Sequence, residues 1–298
     1  MLAYILNFSL VSCYSQTTTT PAIHFSGEQQ LSFQLLDNRA FIEVIIKTKK
    51  YHFVLDCGAV NVINTDAAME LGLKIENLRQ QSGAGSRTAQ IGNTIIDTLR
   101  FGGILMTNQN FTTVSLNEIR DSLRLKYMDG LIGYEFFRQF IVEVNYPKRI
   151  IRVNRPGTKL PEKKFVTIPF TLYRNQIPKI TAELDGIKGE FIFDTGDRSY
   201  LTVFPAFADS IQLRRKYELG DTVVTGYGIG GAVLAQRLFV KNFAFNELQF
   251  NNLETRIPTA TTGGFARRDI AGSIGNGLLK DFVIIFNYPG KTILISQK

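Results

Sequence analysis

The chain has 298 residues, 44% apolar and 20% charged, with a net charge of +8. That length allows one large domain or two lobes, and the composition excludes a disordered chain while supplying apolar mass for a sizeable core. The positive excess lies in short clusters beside expected turns, such as Lys47, Lys49 and Lys50 or Arg214, Arg215 and Lys216, with no regular series of aromatics between them, so nucleic acid is not an expected partner.

The chain opens MLAYILNFSLVSCYSQTTTT. Residues 2–11 form an apolar segment too short for a stable membrane anchor. They read as the core of a signal peptide or lipoprotein leader over 1–16, followed by a polar linker over 17–30. Leu10 to Cys13 resembles a bacterial lipobox, which makes Cys13 a candidate for lipidation and a membrane tether. Ordinary cleavage after Gln16 is the rival. Either outcome implies export from a bacterial cytoplasm, to the periplasm, the outer membrane or the medium.

Runs rich in Ile, Val, Phe and Thr outnumber helical patterns, so the body is expected to be mainly β. FIEVIIKTKKYHFVLD (41–56) alternates as a hairpin turning near Lys49, and its apolar second strand ends in Asp56, followed by Cys57, Gly58 and Ala59. TDAAMELGL suggests a helix with Thr65 as its N-cap. SGAGSRTAQIG (82–92), with Gly83, Ala84 and Gly85, suits a mobile hairpin tip; its glycine spacing is wrong for a nucleotide loop. GLIGYEFFRQFIVEVNYPKRIIRV, from Gly130, predicts a short helix over 134–140 and a final hairpin turning at Tyr146-Pro147-Lys148. NRPGTKLPEKK (154–164) reads as a linker.

The same order then recurs. KITAELDGIKGEFIFD (179–194) is a hairpin with a turn at Asp185-Gly186, ending in Asp194, Thr195 and Gly196. TGYGIGGAVLAQ (225–236) carries Gly226, Tyr227 and Gly228. GSIGNGLLKDFVIIFNYPGKTILI, from Gly272, predicts a helix over 276–282 and a turn at Tyr288-Pro289-Gly290. The two Gly-x-Ile-Gly segments align over 24 residues without a gap at an offset of 142, and the two Asp-x-Gly stretches at an offset of 138. The chain therefore divides into homologous halves, 31–153 and 166–298, joined by a linker over 154–165. Two copies of this length suit one pseudo-twofold interface.

The order of apolar strand, Asp-x-Gly, glycine-rich hairpin and hydrophobic-Gly segment with its helix resembles the pepsin/retropepsin-like aspartic proteases, in a bacterial two-lobe form. The resemblance covers nearly the whole chain after residue 30. It implies a mainly β fold with β-barrel-like lobes related by pseudo-twofold symmetry and few short helices. It also implies catalytic aspartates at Asp56 and Asp194, with loops supported by Cys57, Gly58, Ala59, Thr195 and Gly196. Flaps around 83–85 and 226–228 would cover an extended peptide. The implied activity is that of an endopeptidase acting on peptide or protein. Two carboxylates about 3 Å apart cannot both ionise cheaply, so one holds a proton as acid while the other serves as base towards water. No cofactor or metal is implied, and only two cysteines and two histidines are present, without HExxH or CxxC. Two fused halves complete the site in one chain, so a monomer is expected.

Two positions depart from that family. Cys57 stands where Thr or Ser is usual, which weakens one arm of the hydrogen-bonded brace between the loops. Asp197 stands where Ala, Ser or Thr is usual. A third carboxylate there raises the cost of ionising the pair, so Asp197 is expected to point outward and pair with Arg198. These departures leave a degenerate protein, binding peptide or an envelope ligand without cutting it, as the alternative function. A Cys57 nucleophile lacks a histidine partner, since His24 lies in the polar tail and His52 reads as an exposed strand residue. A third reading makes both Asp-x-Gly stretches mere turns of a β-sandwich, with carboxyls more than about 8 Å apart. Tyr227 is either a stacking residue over substrate or an ordinary hairpin aromatic.

Overall fold

A computed structural model describes residues 20–25, 27–85, 87–161 and 164–297. The leader's core and Cys13 lie outside the described residues. Among those described the chain is mainly β, and none of its six helices exceeds six residues. Helices so short depend on packing for their stability.

Each half builds a sheet on one plan. In the first, Arg39–Ile46 and Lys49–Leu55 form the hairpin. Its turn falls at residues 47 and 48, slightly before the expected Lys49, with Lys47 in the left-handed region at φ 55. In the second, Ile177–Leu184 and Ile187–Asp194 turn at Asp185 and Gly186, with φ of 50 and 79, the pair of positive angles that a tight hairpin turn demands. The second hairpin strand then runs parallel to the Gly-x-Ile-Gly strand: Phe53 lies opposite Gly130, and Phe191 opposite Gly272. A Cβ at Gly130 would come within 2.6 Å of the Phe53 ring, which explains the glycine. The strand after each Asp-x-Gly, Val62–Asn64 or Leu201–Val203, pairs with the far edge of that same strand. Each aspartate thus sits at the end of a strand in the middle of its sheet.

Two local expectations shift. The helix Thr65–Glu70 is capped by Asn64, whose Oδ1 accepts from the Asp66 N–H, so Thr65 is its first residue rather than its cap. The helices Tyr134–Phe137 and Asn276–Leu279 end before 140 and 282. Tighter i to i+3 bonds, such as Phe140 N–H to the Phe137 carbonyl (3.3 Å), carry the chain onward.

A third, six-stranded sheet joins the halves. Its central pair is Ile141–Asn145 against Val283–Asn287, antiparallel, with Ile141 opposite Asn287 and Asn145 opposite Val283. The 142-residue offset maps each of these strands onto the other, so the pseudo-twofold axis passes between Glu143 and Ile285. The repeated Asn-Tyr-Pro closes the flanking hairpins: Asn145 Oδ1 accepts from Lys148 N–H and Asn287 Oδ1 from Gly290 N–H, each at 3.0 Å. Gln29–Ser32 pairs outside the first hairpin and Phe165–Pro169 outside the second. One apolar core runs through both halves, with Phe137 packed on Phe286 across the sheet (ring centroids 5.3 Å apart).

Candidate active site

The strand ends deliver Asp56 and Asp194 to one place, and both are wholly buried. Each acid lies against the other half's glycine. A Cβ on Gly58 would fall 2.5 Å from Asp194 Cγ, and one on Gly196 would collide with the Asp56 carboxyl. The glycines are therefore a steric condition for the approach. The two carboxyls lie close enough for each to bias the other's ionisation. Burial first, and then the Asp194 charge, push the Asp56 carboxyl well above the usual carboxylate range. Burial also raises Asp194. The backbone decides where the charge rests. Asp194 Oδ1 accepts from two N–H groups, Gly196 and Asp197 (both 3.0 Å), whereas Asp56 Oδ1 accepts only from Gly58 (2.9 Å). More donors favour the ionised form. The extra donor at Asp194 favours its ionised form over that of Asp56. The reading of two unrelated turns is excluded by this contact.

The loops are braced asymmetrically. Thr195 Oγ1 accepts from Cys57 N–H (3.0 Å) and donates to the Leu55 carbonyl (2.9 Å), crossing between halves. In return Cys57 Sγ reaches only the Phe193 carbonyl, at 3.5 Å. The thiol is fully buried, and burial and the two nearby carboxyls push it well above its ordinary range, so it is a poor nucleophile. Ala59 is buried among apolar side chains of the first half. His52 is half-buried rather than exposed, stacked on Tyr127 (3.7 Å between centroids).

Asp197 corrects the sequence reading. It points inward, is fully buried, and pairs with Arg256 at 2.9 Å, not with Arg198. Ser199, Thr202 and Ser273 also donate to its carboxylate. Burial alone would raise this carboxyl; the Arg256 guanidinium and the Ser199 bonds outweigh it and hold the group far below the usual carboxylate range. Arg198 turns instead to Asp37 of the first half (2.5 Å). Asp37 also pairs with Arg39 (2.6 Å), whose buried guanidinium donates from Nε to the Gly196 carbonyl (2.8 Å). Asn38 Nδ2 donates to the Arg198 carbonyl (2.8 Å), and its own carbonyl accepts from Asn276 Nδ2. The turn Asp37-Asn38, both in the left-handed region, is thus the first half's grip on the second half's loop.

The two flap tips are bonded to each other. The tip after Glu76–Ser82 meets the tip between Thr222–Gly228 and Gly231–Phe245: Gly85 N–H donates to the Ile229 carbonyl and Arg87 N–H to the Gly230 carbonyl, both at 2.9 Å. Gly83 accepts from Gly264 N–H (3.0 Å). Ala84 is buried among Val233, Phe204 and Phe265 of the second half, and Tyr227 and Ile229 pack on the first half's apolar cluster. Gly226, Tyr227 and Gly228 belong to the strand itself, and the reversal falls at Ile229 and Gly230, with φ of 91 at Gly230.

Several of these groups escaped the sequence reading. Asp37, Asn38, Arg39 and Arg256 carry no local motif, since their partners lie far away in sequence. Tyr288, whose hydroxyl donates to the Cys57 carbonyl (3.1 Å), had a signal in the repeated Asn-Tyr-Pro, but that repeat reads locally as a turn. Among the described residues no group of three His, Cys, Asp or Glu could hold a metal ion.

A mainly β chain of two like lobes, with one Asp-x-Gly loop from each meeting and the flap tips paired, defines a retropepsin-like architecture. Residues 42–136 match the family model described as aspartyl protease. A crystal structure of a retropepsin-like aspartic protease from Rickettsia conorii is similar over 44% of this chain and 89% of its own, at 18% identity and a TM-score of 0.31. No curated protein matches the chain.

Proposed function

We propose that the protein is an aspartic endopeptidase with Asp56 and Asp194 as its catalytic pair. The observation that carries this reading is the burial of the two carboxyls side by side, each against the other half's glycine. Water held between the acids loses a proton to the Asp194 carboxylate as its oxygen attacks the peptide carbonyl. Asp56 gives its proton to the carbonyl oxygen. The tetrahedral diol then collapses: the amide nitrogen takes the proton from Asp194, a diol hydroxyl returns its proton to Asp56, the C–N bond breaks, and acid and amine leave with the pair restored. The flaps must part to admit a chain and close to exclude bulk water, so Gly83 to Gly85 and Gly226 to Gly228 are assigned to substrate covering, with Tyr227 over the bound chain. Cys57, Gly58, Ala59, Thr195 and Gly196 hold the loops in place.

The test is hydrolysis of a diverse peptide mixture across pH by the wild type, Asp56→Asn and Asp194→Asn. Each variant is expected to lose at least about 10²–10⁴-fold in rate. Equal activity in all three ends the reading. The degenerate alternative draws support from the bonded flap tips and the thiol at residue 57. Tight binding of a statine-type inhibitor with no cleavage of any peptide would favour it. Export and a single-chain working form belong to the same proposal, resting on the apolar leader and on a site completed within one chain.

A further inference from the structure

Beside the second half's loop lies a cavity of about 200 Å³. Arg198 and Ser199 form one wall, directly after the Asp194 loop. Arg256 and Glu254 from the strand Leu248–Pro258 and Arg237 from Gly231–Phe245 form another, and Thr225 of the flap strand borders it. A narrower space that shares Arg198 and Arg256 is lined by Ala84 and Tyr227 of the flaps. The shared residues place the cavity beside the flap residues, and 200 Å³ is room for a side chain rather than a single water.

Its charge is unusual. Arg237 and Arg256 stand directly opposite each other on antiparallel strands and line the same space. Like charges so placed repel. Asp197 compensates Arg256 from behind and Asp37 compensates Arg198, while Arg237 is exposed. Lys280 contacts two of the lining residues, 5.4 Å over the Tyr200 ring and bonded to Asn38 Oδ1 at 3.2 Å. Glu254 is the single acid in the wall. With Arg256 and Arg198 held by their own carboxylates, Arg237 is the guanidinium placed to receive an anion in the cavity through charge-assisted hydrogen bonds.

The first half supplies an internal control. The 138-residue offset carries Val60 to Arg198, Val62 pairs with Thr112 as Thr202 pairs with Arg256, and Asn93 faces Thr112 as Arg237 faces Arg256. At that equivalent place is a cavity of about 110 Å³ lined by Asn61, Asn93, Asn110, Thr112 and Glu135, with no cation. The basic wall is therefore a property of this second half and not of the fold.

We propose that the second-half cavity is a subsite for an acidic side chain, so that the protein selects peptides carrying Asp or Glu at one position on one side of the bond above the acids, while the first-half cavity takes a neutral polar residue. The proposal rests on the reading of the cleft as a peptide site. Its test is binding first and cleavage second. A randomised decapeptide library is presented to the Asp194→Asn variant, and separately cleaved by the wild type. Bound peptides should be enriched in Asp or Glu at a single position, and replacing that residue by Asn or Gln should weaken binding about tenfold. In the same background Arg237→Glu should move the preference to Lys or Arg, and Arg237→Gln should flatten it. No peptide bound, no acidic preference, or a preference indifferent to both Arg237 changes would overturn the proposal. Acid-selective binding without wild-type cleavage would leave the subsite standing and remove the protease reading instead.

Discussion

The two Asp-x-Gly loops occupy equivalent places and are built from different chemistry. The first runs Asp56-Cys57-Gly58-Ala59 into an apolar cluster. The second runs Asp194-Thr195-Gly196-Asp197 into a buried ionic network tied to Arg256, and beside it Arg198 reaches Asp37 across the halves. What both keep is the acid and the glycine that lets the opposite acid approach. What has diverged is the residue between acid and glycine and the residue after the glycine, Cys57 and Ala59 against Thr195 and Asp197. Symmetry fixes where the acids meet; the flanks are free to set the charge around them.

The comparison breaks most sharply at the glycine. Gly196→Ala places a methyl on the Asp56 carboxyl, so peptide cleavage should disappear while circular dichroism still shows a folded β protein. Next comes the ion pair that only the second loop has. Arg256→Met strands the Asp197 charge in the interior and should cost about 3–5 kcal/mol in denaturant unfolding. Converting both to the first loop's character, Asp197→Ala with Arg256→Met, should recover most of that loss, because two apolar residues can replace a buried pair at little cost.

The acids should also respond to pH with opposite sign. Asp197 is depressed in the folded chain, so its stabilisation is present above the unfolded carboxylate value, about 3.9, and is lost as pH falls towards the folded value. Asp197→Asn should therefore be less stable than wild type at neutral pH, with the gap narrowing below about pH 4. Asp56 is raised, so its contribution is full below the unfolded value and lost as pH rises through the folded one. Asp56→Asn should gain on wild type as pH rises towards neutral. Thermal melts over pH 3 to 8 read both signs, and parallel curves would contradict them. The smallest effect expected is Cys57→Thr, which gives the first loop a hydroxyl like that of Thr195. It should add about 0.5–1.5 kcal/mol if the new hydroxyl bonds as its counterpart does.

Much of this architecture was legible in the sequence, because duplication turns a weak motif into a repeated one. One Asp-x-Gly is only a turn, but Asp56 and Asp194 at matched distances from two Gly-x-Ile-Gly segments point to a single pseudo-symmetric site. Asp185-Gly186 announced its hairpin because left-handed turn angles restrict residue type. What stayed hidden was the direction of Asp197. Arg198 is its neighbour in sequence, yet the cation that takes it lies on another strand, 59 residues away. Arg39 was invisible for the same reason, since its acceptor at Gly196 is 157 residues distant and no periodicity records it. The turn at Lys47 and the cap at Asn64 were each misplaced by a residue or two, as is usual for element ends.

The joined sheet at the base has a consequence for how the halves stay together. Its central strands hold five residue pairs in ladder, and the exposed connection near 155–159 adds no pairing to them. A protease nick there would leave the two fragments clasped, since the covalent tether does no more than raise their effective concentration. A lone first half would instead bare the edge of Ile141–Asn145, a strand whose natural neighbour closely resembles it, and would seek out its own twin.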